Sequence, residues 1–213
     1  MVFANRNQAA DRLAAALEAY KGQHPLILAI PRGAVPMGQR LARALGGELD
    51  VVLVRKLRAP FNPEFAIGSI DESGWTYIAD YAESAGGTPA YLQQEKQAQL
   101  DTIKKRRAQY TPLRPPIDPA GRIVIVVDDG LATGATMISA LHALRAKQPA
   151  KLICAVPVAP PDTLEKIRGY ADEVVCLQAP MFFQAVGQFY ADFPQVDDVD
   201  VIEILRQAGH AQA

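Results

Sequence analysis

The sequence predicts an α/β protein: an open, mostly parallel, twisted sheet of about five core strands with helices on both faces. Two observations carry that prediction. Five short apolar runs, PLILAI (25–30), LDVVLV (49–54), RIVIVV (122–127), KLICAVPV (151–158) and EVVCL (173–177), are continuous rather than alternating, as expected of strands covered on both faces. Helical patterns separate most of them, as parallel crossovers require. The size of the chain agrees, since 213 residues with 49% hydrophobic content suffice for a substantial core.

The elements follow in order. Residues 8–20 place Leu13, Leu17 and Tyr20 on one helical face, and residues 35–45 form a helix stopped by Gly46 and Gly47. Residues 57–87 are rich in turn formers: Pro60, Pro63, Gly68, Gly74, Gly86 and Gly87. Within them FAIGSI and WTYIAD flank residues 71–74, which fits a hairpin. A long, mostly polar helix is predicted over 89–110, ended by TPLRPP. Its KKRR run at 104–107 sits where cations complement the helix dipole, and a solvated face is favoured over an RNA or partner contact. Residues 134–147 carry Ile138, Leu141 and Leu144 at helical spacing, and 163–169 is a short helix. After Pro180 comes an aromatic stretch, PMFFQAVGQFYADF, then DVDVIEIL, a final helix with Asp200 as its cap and Glu203 closing a capping box. The expected organisation is one domain over 1–213: a core over about 25–178, an insertion over about 57–118 and a small hood over about 179–213.

Composition narrows the function. The formal charge is −1, so no global basic field points to nucleic acid. No apolar run reaches the ~18 residues of a membrane helix. Cys154 and Cys176 lack metal or redox spacing and look like reduced, structural residues, and MVFANRNQAADRL lacks the apolar core of a signal peptide. The expected location is cytoplasmic, with neither nucleic acid nor membrane as a partner.

The most informative stretch is IVIVVDDGLATGAT, 123–136. A strand ending at Val127 delivers Asp128 and Asp129 to the carboxyl edge of the sheet, where open α/β proteins bind ligands. A loop of small residues then enters a helix. Such a loop exposes backbone N–H groups, and the helix dipole adds partial positive charge, so an anion fits there. Thr133 and Thr136 add hydroxyl donors, while Gly130 and Gly134 keep Cβ atoms away. The loop has no lysine and lacks P-loop spacing. An acidic turn after a strand is the plainer reading of the Asp pair alone. The glycine–threonine loop and the helix favour a ligand site.

VIVVDDGLATGAT resembles the phosphoribosyl-pyrophosphate (PRPP) binding motif of type I phosphoribosyltransferases, with Gly130 where that family often has a larger residue. The resemblance implies that Asp128 and Asp129 lie against the ribose hydroxyls and that Gly130, Leu131, Ala132, Thr133, Gly134, Ala135 and Thr136 wrap the 5′-phosphate. It assigns Pro31, Arg32 and Gly33 of LAIPRGAVPMG to a pyrophosphate loop, often built in this family on a strained or cis peptide. Arg55 and Lys56, expected at the carboxyl edge of the second core strand, would reach the pyrophosphate, with Lys56 the better match. Residues 57–74 would then form a loop closing over the site, with Glu64 an exposed acid or a substrate contact. The three pieces occur in family order, so the resemblance spans about 25–178.

The implied activity is transfer of the 5-phosphoribosyl group from PRPP to a nucleobase or other nitrogen nucleophile, with release of pyrophosphate. Mg²⁺ is the implied cofactor, met by Asp128 and Asp129 mainly through ligand or water. Catalytic roles fall to Asp128, Asp129, Lys56 and Arg32. Phe182, Phe183, Phe189 or Tyr190 either stack on an acceptor ring or form the core of the hood. The partners implied are PRPP and an unidentified small-molecule acceptor, with a homodimer left open. A PRPP-binding regulator without catalysis and a phosphoribosyl hydrolase are the alternatives. His24, His142 and His210 lie outside these loops, so no Ser-His-Asp or Cys-His device is expected.

Overall fold

The computed structural model describes residues 2–110 and 116–210. Along the chain it contains α1 (Arg6–Ala16), a 3₁₀ turn (Glu18–Tyr20), β1 (Leu26–Ala29), α2 (Val35–Leu45), β2 (Glu48–Val51), β3 (Val54–Ala59), β4 (Asn62–Asp71), β5 (Thr76–Ile78) and α3 (Pro89–Tyr110). There follow β6 (Ile123–Val127), α4 (Ala135–Arg145), β7 (Lys151–Val158), α5 (Pro161–Ile167), β8 (Glu173–Gln178), a second 3₁₀ turn (Val186–Phe189) and α6 (Asp198–His210). The five apolar runs form one parallel sheet in the order β2-β1-β6-β7-β8. The predicted end of the long helix at TPLRPP lies mostly outside the described residues.

Alternate residues of each strand enter two different cores, which is why the runs are apolar throughout. Ile27, Ala29, Ile125, Val127, Ile153 and Ala155 pack with α1 and α2. Leu26, Leu28, Val124, Val126, Leu152 and Cys154 pack with α4 and α5. The chain leaves β1 in one direction along the sheet, to β2, and leaves β6 in the other, to β7. The boundary between β1 and β6 is therefore the switch point at which open α/β sheets form a crevice. Register makes it sharp: Ala29 lies opposite both Val51 and Val127, so these three strands finish on one line.

Two expectations require correction. The run LDVVLV is two strands, not one. Parallel pairing stops at Val51, where β1 also stops, and the chain turns so that Val54 pairs antiparallel with Asp71. Arg55 and Lys56 accordingly lie inside β3, not at the end of a core strand. Residues 57–74 are not an irregular loop either. Most of them complete a three-stranded antiparallel sheet, β3-β4-β5, in which the hairpin predicted around 71–74 is present. This sheet packs between α3 and α4. The Ser69 hydroxyl on β4 donates to the Ala135 carbonyl at 2.5 Å and lies 2.6 Å from Ser139 Oγ, which ties it to the first turn of α4.

The cap of α6 is also shifted. Helix starts at Asp198, and the Asp200 carboxylate accepts from the Asp197 amide at 2.9 Å. Asp200 is thus the residue that reaches back, not the cap, and Glu203 pairs with Arg206 and Gln207 instead. At the N-terminus, Asn5 caps α1 by accepting from the Gln8 amide, so that helix begins at Arg6, two residues earlier than its apolar face suggests.

The opposite end of the sheet is held by a polar cluster with a measurable pH signature. Lys151 Nζ, at the start of β7, donates to Glu173 Oε2 at 2.7 Å and to the Tyr20 hydroxyl at 2.6 Å, and Tyr20 donates to Glu173. The hydrogen bond from Lys151, then that from Tyr20, hold the Glu173 carboxyl below its ordinary value. A depressed carboxylate contributes stability above its unfolded-state pKa and loses it as pH falls through the folded value. Glu173→Gln is therefore expected to lower the melting temperature at pH 7 and to make little difference near pH 3. An equal loss at both pH values would refute the ionic contribution.

Candidate active site

At the switch point β1 and β6 release their loops side by side, joined by the Ile30 amide donating to the Val127 carbonyl at 3.0 Å. The loop after β1 contains Pro31, Arg32 and Gly33, and its Pro31–Arg32 peptide is cis. The loop after β6 begins with Asp128 and Asp129. The two loops touch at Gly33. A Cβ there would lie 2.2 Å from Asp129 Oδ2, inside any real contact, so only glycine lets this carboxylate occupy its place.

Asp129 is held from a third direction. Arg6, in the first turn of α1, places Nε and Nη2 each 2.9 Å from Asp129 Oδ2. Its Nη1 donates to the Pro194 carbonyl at 2.6 Å, and its guanidinium lies 3.8 Å from the centre of the Phe193 ring. The Tyr190 hydroxyl donates to the Asp129 carbonyl at 2.6 Å. Asp128 is fixed by its own successor, its Oδ1 accepting from the Asp129 amide at 2.9 Å. One oxygen of each carboxylate is thus engaged, and the other has no hydrogen-bond partner among the described residues. Burial raises both carboxyl pKa values. For Asp128 the neighbouring Asp129 charge adds to the rise, while Lys56 and Arg6 pull both back. Lys56 is therefore within electrostatic reach of the pair. It alternates on β3 with Arg55, whose side chain lies against α3 and donates from Nε to Gln99 Oε1 at 2.9 Å.

Beyond the carboxylates the chain makes the small-residue loop. The Leu131 amide donates to the Val158 carbonyl at 2.9 Å, and Thr163 Oγ1 donates to the Ala132 carbonyl at 2.6 Å, so β7 and α5 fix the loop from outside. Gly134 has φ 76°, the left-handed conformation that turns the loop into α4. Gly130 packs against Val186, where a Cβ would meet Cγ1 at 2.6 Å, so the small residue is what lets the loop seat there. The amides of Ala132, Thr133, Gly134 and Thr136 donate to no acceptor among the described residues. The Ala135 amide makes only a long contact, 3.4 Å, to Thr133 Oγ1. A run of unspent donors at the start of an 11-residue helix is an anion cradle.

The remaining predicted residues divide. Phe183 packs on Phe189 with ring centres 5.2 Å apart, and Phe189 and Tyr190 are buried, so these rings form hood structure. Phe182 is 92% exposed. Glu64 is an exposed residue of β4. Cys154 is buried in β7, where burial pushes its thiol far up, and it is inert. Among the described residues no group of three or more His, Cys, Asp or Glu is placed to hold a metal, and no helix is long and apolar enough to cross a membrane. Arg6 was not foreseen. The signal was present, since Asn5 followed three residues later by Gln8 marks a helix start that brings Arg6 to the sheet edge.

Comparison with known proteins gives consistent results. A family model described as a phosphoribosyl transferase domain matches residues 2–194. Two Mycobacterium tuberculosis proteins, from strains H37Rv and CDC 1551, carry names that assign them provisionally to the phosphoribosyl transferases. Each is 40% identical over 210 residues, 97% of this chain and 47% of its own length. The chain thus spans about half the length of these curated relatives. The crystal structure of TT1426 from Thermus thermophilus superposes with a TM-score of 0.80 at 44% identity, covering 97% of this chain and 99% of that one. AQ2163 from Aquifex aeolicus, at 12% identity and a TM-score of 0.53 over 85% of this chain and 78% of its own, shares the fold alone.

Proposed function

The chain belongs to the type I phosphoribosyltransferase family, and from that premise we propose that it transfers the 5-phosphoribosyl group of PRPP to a nucleobase or other nitrogen nucleophile, releasing pyrophosphate. One observation carries this reading: the unspent amides of Ala132, Thr133, Gly134 and Thr136 follow directly on two carboxylates that each keep an oxygen without a hydrogen-bond partner among the described residues. In it the 5′-phosphate takes the amides and the hydroxyls of Thr133 and Thr136. Asp128 and Asp129 face the ribose hydroxyls. Arg32 and Lys56 meet the departing pyrophosphate.

The reaction passes through a ribose that gains positive charge as pyrophosphate leaves. Fixed carboxylates beside the ring stabilise that charge, and fixed cations stabilise the leaving group, without reorganisation during the step. Positioning the two ends of PRPP in separate cradles aligns the sugar for attack. The free carboxylate oxygens suit Mg²⁺, an ion commonly held by one or two carboxylates together with substrate phosphates. When bound it would neutralise charge on the pyrophosphate. Asp128 and Asp129 would meet it mainly through ligand or water.

For the acceptor, Phe182 is the exposed ring among the hood aromatics Phe182, Phe183, Phe189 and Tyr190. It follows the last core strand and rests almost entirely in solvent, which suits stacking on a planar base. Phe182→Ala is expected to raise the KM for the acceptor about tenfold, from a stacking contribution of about 1.4 kcal/mol, with the KM for PRPP unchanged. An unchanged acceptor KM would remove Phe182 from the site. The activity itself is tested by incubating the protein with Mg²⁺, PRPP and a panel of nucleobases and small amines, reading released pyrophosphate. Acceptor-dependent release supports transfer. Release without an acceptor indicates hydrolysis, and PRPP binding without release indicates a regulator.

A further inference from the structure

Three arginines beside the pyrophosphate loop lack a forked carboxylate partner among the described residues. Several arginines elsewhere are held in forks: Arg107 holds Glu72 with two bonds of 2.8 Å, Arg145 holds Asp172 at 2.9 and 3.2 Å, and Arg58 holds Glu95 at 2.8 and 3.3 Å. Such forked pairs are the strong geometry for arginine and carboxylate. Arg32, Arg55 and Arg106 have nothing comparable. Arg32 Nη1 lies 3.8 Å from Asp198 Oδ2 and 4.0 Å from Asp197 Oδ1. Arg106 Nε lies 3.9 Å from Asp198 Oδ1. These separations exceed hydrogen-bond length. Among the described residues Arg55 donates only to the neutral Gln99, with the Glu95 charge acting on it without a direct bond.

The three are close enough to repel. Burial, then Arg106, Arg58 and Arg32, lowers the proton affinity of Arg55. Arg106 is only 16% exposed, so water screens it poorly. Crowding half-buried cations without forked partners is costly unless an anion completes the site. The anion now nearest is Asp198, which is held by the buried Tyr110 hydroxyl donating to its Oδ1 at 3.1 Å.

We propose that Arg106 of α3 is a further pyrophosphate-binding residue, completing with Arg32 and Arg55 a pocket in which the Asp198 carboxylate stands in for the ligand until a diphosphate displaces it. This deepens the reading above and rests on it. It also gives the α3 insertion a task, since Arg106 comes from the KKRR run whose first two members are exposed lysines and whose last two residues turn inward. A diphosphate offers several oxygens to guanidiniums that one carboxylate can only partly serve. Displacing Asp198 costs its contact with Tyr110, so the internal carboxylate lowers affinity and favours release of the product.

The test is titration calorimetry at fixed ionic strength on the full chain. The ligands are Mg²⁺-pyrophosphate, PRPP and ribose 5-phosphate; the proteins are wild type, Arg106→Gln, Asp198→Asn and, as a neighbouring control, Arg107→Gln. Arg106→Gln is expected to weaken pyrophosphate and PRPP binding about tenfold, the loss of one charge-assisted contact, and to leave ribose 5-phosphate unaffected. Asp198→Asn is expected to tighten pyrophosphate binding severalfold, an outcome that misfolding does not mimic. Arg107→Gln should leave pyrophosphate affinity at the wild-type value. Wild-type pyrophosphate affinity in Arg106→Gln, or weaker affinity in Asp198→Asn, overturns the pocket while leaving the phosphoribosyl reading intact. A wild-type protein that binds none of the three ligands overturns both.

Discussion

Asp129→Asn is expected to lower turnover by about 100-fold or more while the protein keeps its fold. The magnitude follows from what a preorganised electrostatic group contributes when charge develops beside it in a site shielded from water. The substitution removes the charge and changes little else. Asn has the same shape, so Gly33 still clears it, and its side-chain oxygen still accepts from Arg6 Nε and Nη2 at the position of Oδ2. The Tyr190 bond is to the backbone carbonyl and is untouched. The measurement is steady-state pyrophosphate release with saturating PRPP, accompanied by circular dichroism and a thermal melt. A loss confined to KM would mean that Asp129 serves binding alone. Unchanged turnover would remove it from the reaction, and with it the reason for reading the Asp128–Asp129 pair as catalytic.

How far the sequence led is visible in particular residues. The parallel sheet was legible because strands buried on both faces are apolar throughout, as β1 and β6 are and as β7 is after Lys151; β8, partly exposed, keeps its apolar run only between Glu173 and Gln178. The same rule misled at LDVVLV. Val52 and Leu53 are buried at a turn between two sheets, and burial keeps the run apolar through the break. The cradle was legible because its parts are contiguous: strand, acids, small loop and helix follow within residues 123–136. Groups that reach the site from far along the chain were not. Arg6 lies 123 residues from its partner Asp129, and Arg106 lies far from both Arg32 and Asp198 in sequence, so no spacing rule links them. The hood is intermediate. Its aromatic content was evident, but only packing separates Phe182, in solvent, from Phe183 against Phe189.

Arg6→Ala is expected to destabilise the protein by roughly 3–5 kcal/mol at neutral pH, the cost of stranding a buried charge. The Arg6 and Asp129 side chains are only 11% and 15% exposed. With Arg6 removed, Asp129 keeps its desolvation and the repulsion of Asp128 but loses its nearest counter-charge; Lys56 acts on the pair from further away. The variant also loses the bond to the Pro194 carbonyl and the stacking on Phe193, through which α1 holds the hood. These two parts of the cost are separable. In Arg6→Ala/Asp129→Asn the stranded charge is gone while the lost Pro194 and Phe193 contacts remain. The double variant should therefore be more stable than Arg6→Ala alone, with a coupling energy of about 1–3 kcal/mol between the two positions. Urea unfolding of the four proteins at pH 7 measures it. Additive losses would show that Arg6 acts only as packing for Phe193 and Pro194, and that the hood, not the ion pair, sets the place of the Asp129 carboxylate.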